Sequence, residues 1–263
     1  MELGLKNKKA LILGSSKGLG LGIAKNLILE GAHVGIVGRS IGSLKALSLE
    51  LGGETQARIV PFQVDFTKPD ASRNLFQQFM QQFDGIDILV NNTGGPPATL
   101  ALETSMEQWQ DYFASMVLRL IELTQLFLPI MQSQRWGRVL TIGSSGVIQP
   151  IPGLAISNVL RTTLLSWSKT LATEVAPYGI TVNMILPGKI FTERLQTLNK
   201  IFAEKNHQST QEFSEQVLKT IPMQRFGSVQ EFADIATFYL SECASYTTGN
   251  CIRVDGGYTS TLL

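Results

Sequence analysis

The chain carries almost no net charge and no basic tract. A formal balance of +1 over 263 residues leaves no electrostatic footprint for nucleic acid. Cysteine is scarce. Cys243 and Cys251 lack a metal-ligand spacing and read as packing residues, which suits a reducing, cytoplasmic setting. No stretch of about 18 uninterrupted apolar residues occurs, because Glu122 and Gln125 break the best candidate, residues 116–131, so no membrane span is expected. The first nine residues show no apolar run ahead of their charges, so no export signal is expected. Repeats and low-complexity tracts are absent. Tyrosine is missing from the whole interval between Tyr112 and Tyr178.

What is present is a packed globular chain: 44% hydrophobic and 16% charged residues exclude disorder. Short β-branched or apolar runs at 10–13, 34–37, 59–64, 86–90, 139–142, 181–186 and 252–254 read as strands buried on both faces. Helical patterns at 19–30, 43–51, 71–83, 106–131, 155–175 and 230–241 separate them. Alternation of this kind predicts α/β architecture: a Rossmann-type, doubly wound parallel sheet of about seven strands, with helices on both faces. We expect one domain over 1–263. Residues 191–221 have helical character, polar interruptions and no strand signal, so they must leave the sheet and return. A substrate lid fits them. A peripheral helical hairpin that only packs is the alternative.

The first strand runs into Gly14-Ser15-Ser16-Lys17-Gly18-Leu19-Gly20, and a helix follows. Glycines let backbone approach a pyrophosphate, and the helix N-terminus offers N–H donors with partial positive charge. An acidic residue at the end of the second strand would bind the ribose 2′-hydroxyl of NAD. Gly38 stands there instead, followed by Arg39, and Lys17 lies in the glycine loop. No carboxylate opposes a 2′-phosphate, and two cations could hold it.

Gly14-x3-Gly18-x-Gly20 resembles the glycine motif of the short-chain dehydrogenase/reductase family, with Leu13 where a threonine is usual. Asn91-Asn92-Thr93-Gly94, Pro187-Gly188 followed by Thr192, and Val254-Asp255-Gly256-Gly257 resemble three further family motifs, in order and over nearly the whole length. The resemblance implies an oxidoreductase that binds NADP(H) in preference to NAD(H). It implies a cofactor cradle of Gly14, Ser16, Lys17, Gly18, Leu19 and Gly20. Arg39 would meet the 2′-phosphate, Asp65 the adenine, and Asn91 with Gly94 the edge of strand four. Arg161, Pro187, Gly188, Ile190 and Thr192 would line the nicotinamide end.

In that family a Tyr-x-x-x-Lys pair, a Ser and an Asn handle the proton. Only the serine, Ser144, is kept. Ser157 and Arg161 occupy the Tyr and Lys positions, and Met116 occupies the Asn position. Nor does the chain resemble the enoyl-reductase variant, whose tyrosine and lysine are further apart. A serine hydroxyl is a poorer acid than a tyrosine of pKa about 10. Arginine stays charged and cannot shuttle a proton. Three readings stay open. In a divergent reductase, Ser144 and Ser157 bind the carbonyl, Arg161 polarises it, and water or Lys189 supplies the proton. A catalytically inactive NADP(H)-binding sensor or assembly partner is the second. The third is a different reaction in which Ser157 and Arg161 bind an anionic or polar substrate.

The resemblance is nearest to 3-oxoacyl-carrier-protein reductases, and Ile148, Ile151, Leu154, Phe191 and Leu195 suit an apolar carbonyl substrate, a small-molecule carbonyl or alcohol. Arg119, Arg135 and Arg138 are scattered candidates for docking a carrier. Helices 106–131 and 155–175 are apolar on more than one face. By resemblance they form a homodimer or homotetramer interface, with Leu120 and Leu164 as its markers.

Overall fold

A computed structural model describes residues 2–53 and 56–262. Seven parallel strands form one sheet: β1 (Lys9–Ile12), β2 (His33–Gly38), β3 (Ile59–Gln63), β4 (Ile88–Asn91), β5 (Gly137–Ile142), β6 (Ile180–Pro187) and β7 (Cys251–Val254). Their order is β3-β2-β1-β4-β5-β6-β7. The winding reverses between β1, paired with β2 through Ala10↔Val34, and β4, paired with β1 through Ala10↔Ile88. A cleft opens beyond the carboxyl ends of the strands at such a switch point.

Helices cover both faces. α1 (Gly18–Leu29), α2 (Ile41–Gly52) and α9 (Val229–Leu240) enclose one core with Leu27, Ile36, Phe232 and Leu240. α3 (Ala71–Gln82), α5 (Arg119–Gln134) and α6 (Ala155–Val175) enclose the other, where Phe79 meets Phe62, Phe83 and Phe127. α4 (Met106–Phe113) begins at a capping box of Ser105 and Gln108, and the same device starts α8 (Thr210–Lys219) at Ser209 and α9 at Ser228. α7 (Glu193–Lys205) and α8 form a helical hairpin held by Asn199 on Ser214 and by the stacked rings of Phe202 and Phe213. Residues 191–221 thus leave the sheet as a helical pair.

The expected helix at 106–131 runs on to Gln134 and contains a π-turn, Ala114–Leu118. By length and composition this 29-residue run could cross a membrane. In the fold it is a core helix, burying Val117, Leu120, Leu123, Phe127 and Met131. Leu120 and Leu164 are each 1% exposed, so they belong to the core and not to an interface. The outer faces show Phe113, Leu118 and Val159 instead. Arg138 is also corrected. It is buried, donates to the Ser241 and Gly137 carbonyls and stacks on Trp136, which leaves nothing for a docking partner. Arg119 pairs with Glu122.

α1 and α9 approach closely because Gly22 has no side chain. A Cβ there would lie 2.5 Å from Val229 Cγ1 and 3.3 Å from Ala233 Cβ. Gly22→Ala should therefore cost ~1–3 kcal/mol of folding stability through overpacking. Val229→Ala in the same chain should restore most of it in urea denaturation. Additive losses would show that the two residues do not share this contact.

Candidate active site

The glycine loop is locked from three sides. Ser15, fully buried, donates to the Ile12 carbonyl at 2.7 Å and accepts from the Val37 amide at 2.8 Å. Asn92 donates from Nδ2 to the Gly14 carbonyl at 3.2 Å. A Cβ at Gly20 would sit 2.5 Å from that same carbonyl, so only glycine lets α1 start there. The α1 N-terminus has no side-chain cap and no acid in its first turn. Its first N–H groups and its partial positive charge remain for an anion. Gly38 packs on Ser16, where a Cβ would come within 3.2 Å of the Ser16 Cβ. A side chain at 38 would press on the loop, which would have to give slightly.

The two cations of this end are exposed. Lys17 Nζ bonds Glu193 Oε2 at 2.5 Å, joining the glycine loop to the first residue of α7. Arg39 makes no side-chain hydrogen bond among the described residues. Asp65 turns its Oδ1 back onto the Thr67 amide and hydroxyl, and these bonds hold its carboxyl below the usual range. Asn91 bonds Thr124 of α5, while its Oδ1 is buried without a partner. Asn92, which the sequence reading passed over in favour of Asn91, is the one that touches the loop.

Thr192 caps α7, accepting from Leu195 N, and its methyl faces Gly18 across the cleft. Ile190 bridges to Gly227 and Gly188 donates to the Val254 carbonyl, so the Pro187-Gly188 segment is pinned to β7.

Ser144 ends β5. Its Oγ accepts from the Gly146 amide at 3.1 Å, which leaves its own proton to give. Ser157 and Arg161 lie one turn apart on α6, both buried. Arg161 donates from Nη1 to the Ile142 carbonyl at 2.7 Å and from Nε to Ser157 Oγ at 3.3 Å. The guanidinium is thus strung between the end of β5 and the first turn of α6. Asn158 fixes the intervening loop by bonding both the amide and the carbonyl of Ile151. Met116 sits in the π-turn, buried in the same core as Ile156 and Leu160. π-turns of this kind often mark functional sites.

Lys189 does not join this cluster. Its ammonium stands 5.2 Å from the Tyr258 ring centroid and lines a cavity of about 520 Å³ with Arg253, Asp255 and α9 residues. Ser144, Ser157 and Arg161 are not among that cavity's walls. Burial pushes the Lys189 ammonium pKa down, yet the group faces β7. Sequence position suggests it as a proton donor; among the described residues no printed contact joins it to Ser144, Ser157 or Arg161. Arg194 was also missed. It reaches from α7 to the Pro96 carbonyl at 2.5 Å.

A parallel sheet of this order with a glycine loop at its switch point is a dinucleotide-type fold. The family model described as enoyl-(acyl carrier protein) reductase matches residues 14–259, and the chain belongs to the short-chain dehydrogenase/reductase family. It is 33% identical to the 3-oxoacyl-[acyl-carrier-protein] reductase FabG of Aquifex aeolicus, over 98% of this chain and 99% of that one. It is 29% identical to the NADPH-dependent reductase BacG of Bacillus subtilis, over 96% and 98% of the two chains. The L-sorbose reductase of Gluconobacter frateurii, solved with NADPH and L-sorbose, superposes with a TM-score of 0.94 at 33% identity, covering all of both chains.

Arg161 is 8% exposed and has no carboxylate partner among the described residues. Burial first, and repulsion from Arg194 second, push its guanidinium pKa down to about 10. It is therefore charged at neutral pH, but less easily than in the unfolded chain. The folded state carries this cost in full below about pH 10 and sheds it as pH rises further. Arg161→Met should accordingly leave folding stability unchanged or raise it, by up to ~3 kcal/mol. A loss of several kcal/mol in chemical denaturation would make Arg161 a structural residue instead.

Proposed function

We propose that the protein is an NADP(H)-dependent oxidoreductase acting on a small-molecule carbonyl or alcohol through a Ser144–Ser157–Arg161 site. The observation that carries this reading is the buried, carboxylate-free Arg161 donating to Ser157 Oγ. A charge this costly to bury, aimed at a hydroxyl in a cleft, points to stabilisation of negative charge that develops during a reaction.

The cradle fits the cofactor. The loop fixed by Ser15 and Asn92, the uncapped α1 N-terminus, and Lys17 with Arg39 would hold pyrophosphate and 2′-phosphate. Ser16, Gly18, Leu19, Gly94, Asp65, Asn91, Pro187, Gly188, Ile190 and Thr192 border the same cleft in this reading. Bound NADPH would supply the hydride. Ser144 and Ser157 each donate a hydrogen bond to the carbonyl oxygen. Arg161 holds Ser157 Oγ and lowers the energy of the forming alkoxide. Ser157 passes its proton to that oxygen and recovers one from water, a role Arg161 cannot fill because it stays protonated.

In this reading residues 191–221 are the lid. Support comes from three contacts of α7 across the cleft: Glu193 on Lys17, Arg194 on the Pro96 carbonyl, and Phe202 against Gly153. Glu193 occupies the cation that the 2′-phosphate would take. NADPH should bind at least tenfold tighter than NADH in fluorescence titration, and Lys17→Ala or Arg39→Ala should remove about tenfold of that preference. Glu193→Ala should tighten NADPH by about two- to fivefold, since exposed ion pairs are weak. Equal affinity for both cofactors would sink the assignment. Stereospecific transfer of deuterium from labelled NADPH to a carbonyl separates the reductase from a silent NADP(H)-binding protein.

The chain also assembles through α4, α5 and α6 in this reading. Trp109, Phe113 and Val159 line a groove of about 320 Å³ between α4 and α6, and Val159 is 51% exposed. Val159→Glu should lower the mass measured by light scattering to that of a smaller assembly. An unchanged mass would place the interface elsewhere.

A further inference from the structure

We propose that the cavity behind the Pro187-Gly188 segment is a second ligand site, and that it takes a small organic anion, a carboxylate or a phosphate ester, between Lys189 and Arg253. Ser144, Ser157, Arg161 and the glycine loop have no part in its walls, so the inference stands apart from the reading of the cleft.

The cavity has a volume of about 520 Å³, a size that suits a metabolite. It lies between β7, α9 and the turn at 222–227. Gly188 donates to the Val254 carbonyl at 3.0 Å. The chain leaving β6 and the end of β7 therefore run side by side, and Lys189 and Arg253 line the same space. Met223 and Arg253 are exposed, so the space is open to solvent on that side. Thr192, a few residues beyond Lys189, faces Gly18, so the cavity backs onto the nucleotide end of the cleft.

Three carboxylates also border the cavity, and each is already committed. Glu231 takes Nη1 and Nη2 of Arg225 at 2.9 and 2.6 Å and accepts from the Ser228 amide. Asp234 accepts from Asn26 of α1 and from Gln230. Asp255 folds back on its own turn, accepting from the Gly257 and Thr259 amides at 3.0 Å each.

Two cations on the same walls are not committed. Lys189 is half-buried, and its ammonium meets only the Tyr258 ring, 5.2 Å from the centroid. Arg253 gives Nη1 to the Thr261 carbonyl at 2.8 Å and keeps the rest of its fork. Neither has a carboxylate partner among the described residues. Burial pushes the Lys189 ammonium pKa down, so the charged form is held at a cost. An anion in the cavity offsets that cost.

The chemistry of the ligand follows from the pair. An ammonium is a compact point charge and a guanidinium is a planar fork, and together they suit an oxyanion with several acceptor oxygens. Ile190, Met223 and Ile235 give the cavity an apolar side for the body of the ligand.

Calorimetric titration of the full-length protein tests this with three probes that share a ring: phenyl phosphate, benzoate and neutral benzamide. At least one anion should bind about tenfold tighter than benzamide, and which one does so separates a phosphate ligand from a carboxylate. Lys189→Met should erase the preference, and Arg253→Met should weaken it several-fold. Lys189→Met exchanges a half-buried cation for an apolar chain, a change that folding tolerates. Lys189→Arg keeps the charge and should keep most of the binding. Equal affinity for all three probes, binding of none, or a preference that survives either Lys189→Met or Arg253→Met overturns the proposal. Loss in Lys189→Arg as complete as in Lys189→Met also overturns it, since packing and not charge would then be what the variants removed.

Discussion

One buried guanidinium organises the reactive end of this protein. Arg161 is held by the last carbonyl of β5 and by Ser157 one turn earlier on its own helix. The exchange of a Tyr–Lys pair for Ser–Arg is chemically coherent as a unit. A tyrosine hydroxyl would lie a whole ring further from the helix, beyond the reach of an arginine Nε four residues on. A shorter hydroxyl with a longer cation restores the contact. It also changes what the contact can do. Lysine can be tuned toward neutrality, whereas arginine supplies a fixed positive charge and a rigid fork. Met116, at the position where the family would carry a water-ordering amide, is buried in the core.

The fold was legible because its signals are local. Each strand was a short apolar run, and the glycine loop, Asn91-Asn92 and Pro187-Gly188 lie at strand ends that such runs define. What escaped the reading depends on tertiary placement. The π-turn at Ala114–Leu118 has no composition of its own, yet it adds a residue to one turn and shifts the phase of every residue after it. Apolar residues on more than one face made Leu120 an interface marker, whereas the fold buries it and turns Leu118 outward. Lys189 follows Pro187-Gly188 and seemed to belong beside the cofactor. The bridge of Ile190 to Gly227 sets the local alternation, sending Ile190 inward and Lys189 toward Tyr258. Arg194 carried no motif at all, and only the packing of α7 over Gly95 gives it a neighbour.

The two ends of the cleft use charge in opposite ways. Lys17 and Arg39 are exposed, so any grip they had on a phosphate would be screened by salt over about a Debye length. Ser15 and Asn92 supply no charge there but fix the backbone that presents N–H donors. At the reactive end the order is inverted: the charge is buried, and the backbone carbonyl of Ile142 serves to hold it. Nucleotide affinity should therefore depend on ionic strength far more than events at Ser157 do.

α7 links these two regimes through adjacent residues. Glu193 and Arg194 lie in one helical turn, and consecutive side chains on a helix diverge by about 100°. Glu193 consequently reaches the glycine loop while Arg194 reaches Pro96 on the far side of the cleft. One contact is an exposed ion pair that a phosphate can replace at small cost. The other is a hydrogen bond from a partly buried cation, whose pKa burial pushes down. A rigid helix cannot move one end of this arrangement without moving the other, so the Lys17 and Pro96 contacts are coupled through α7.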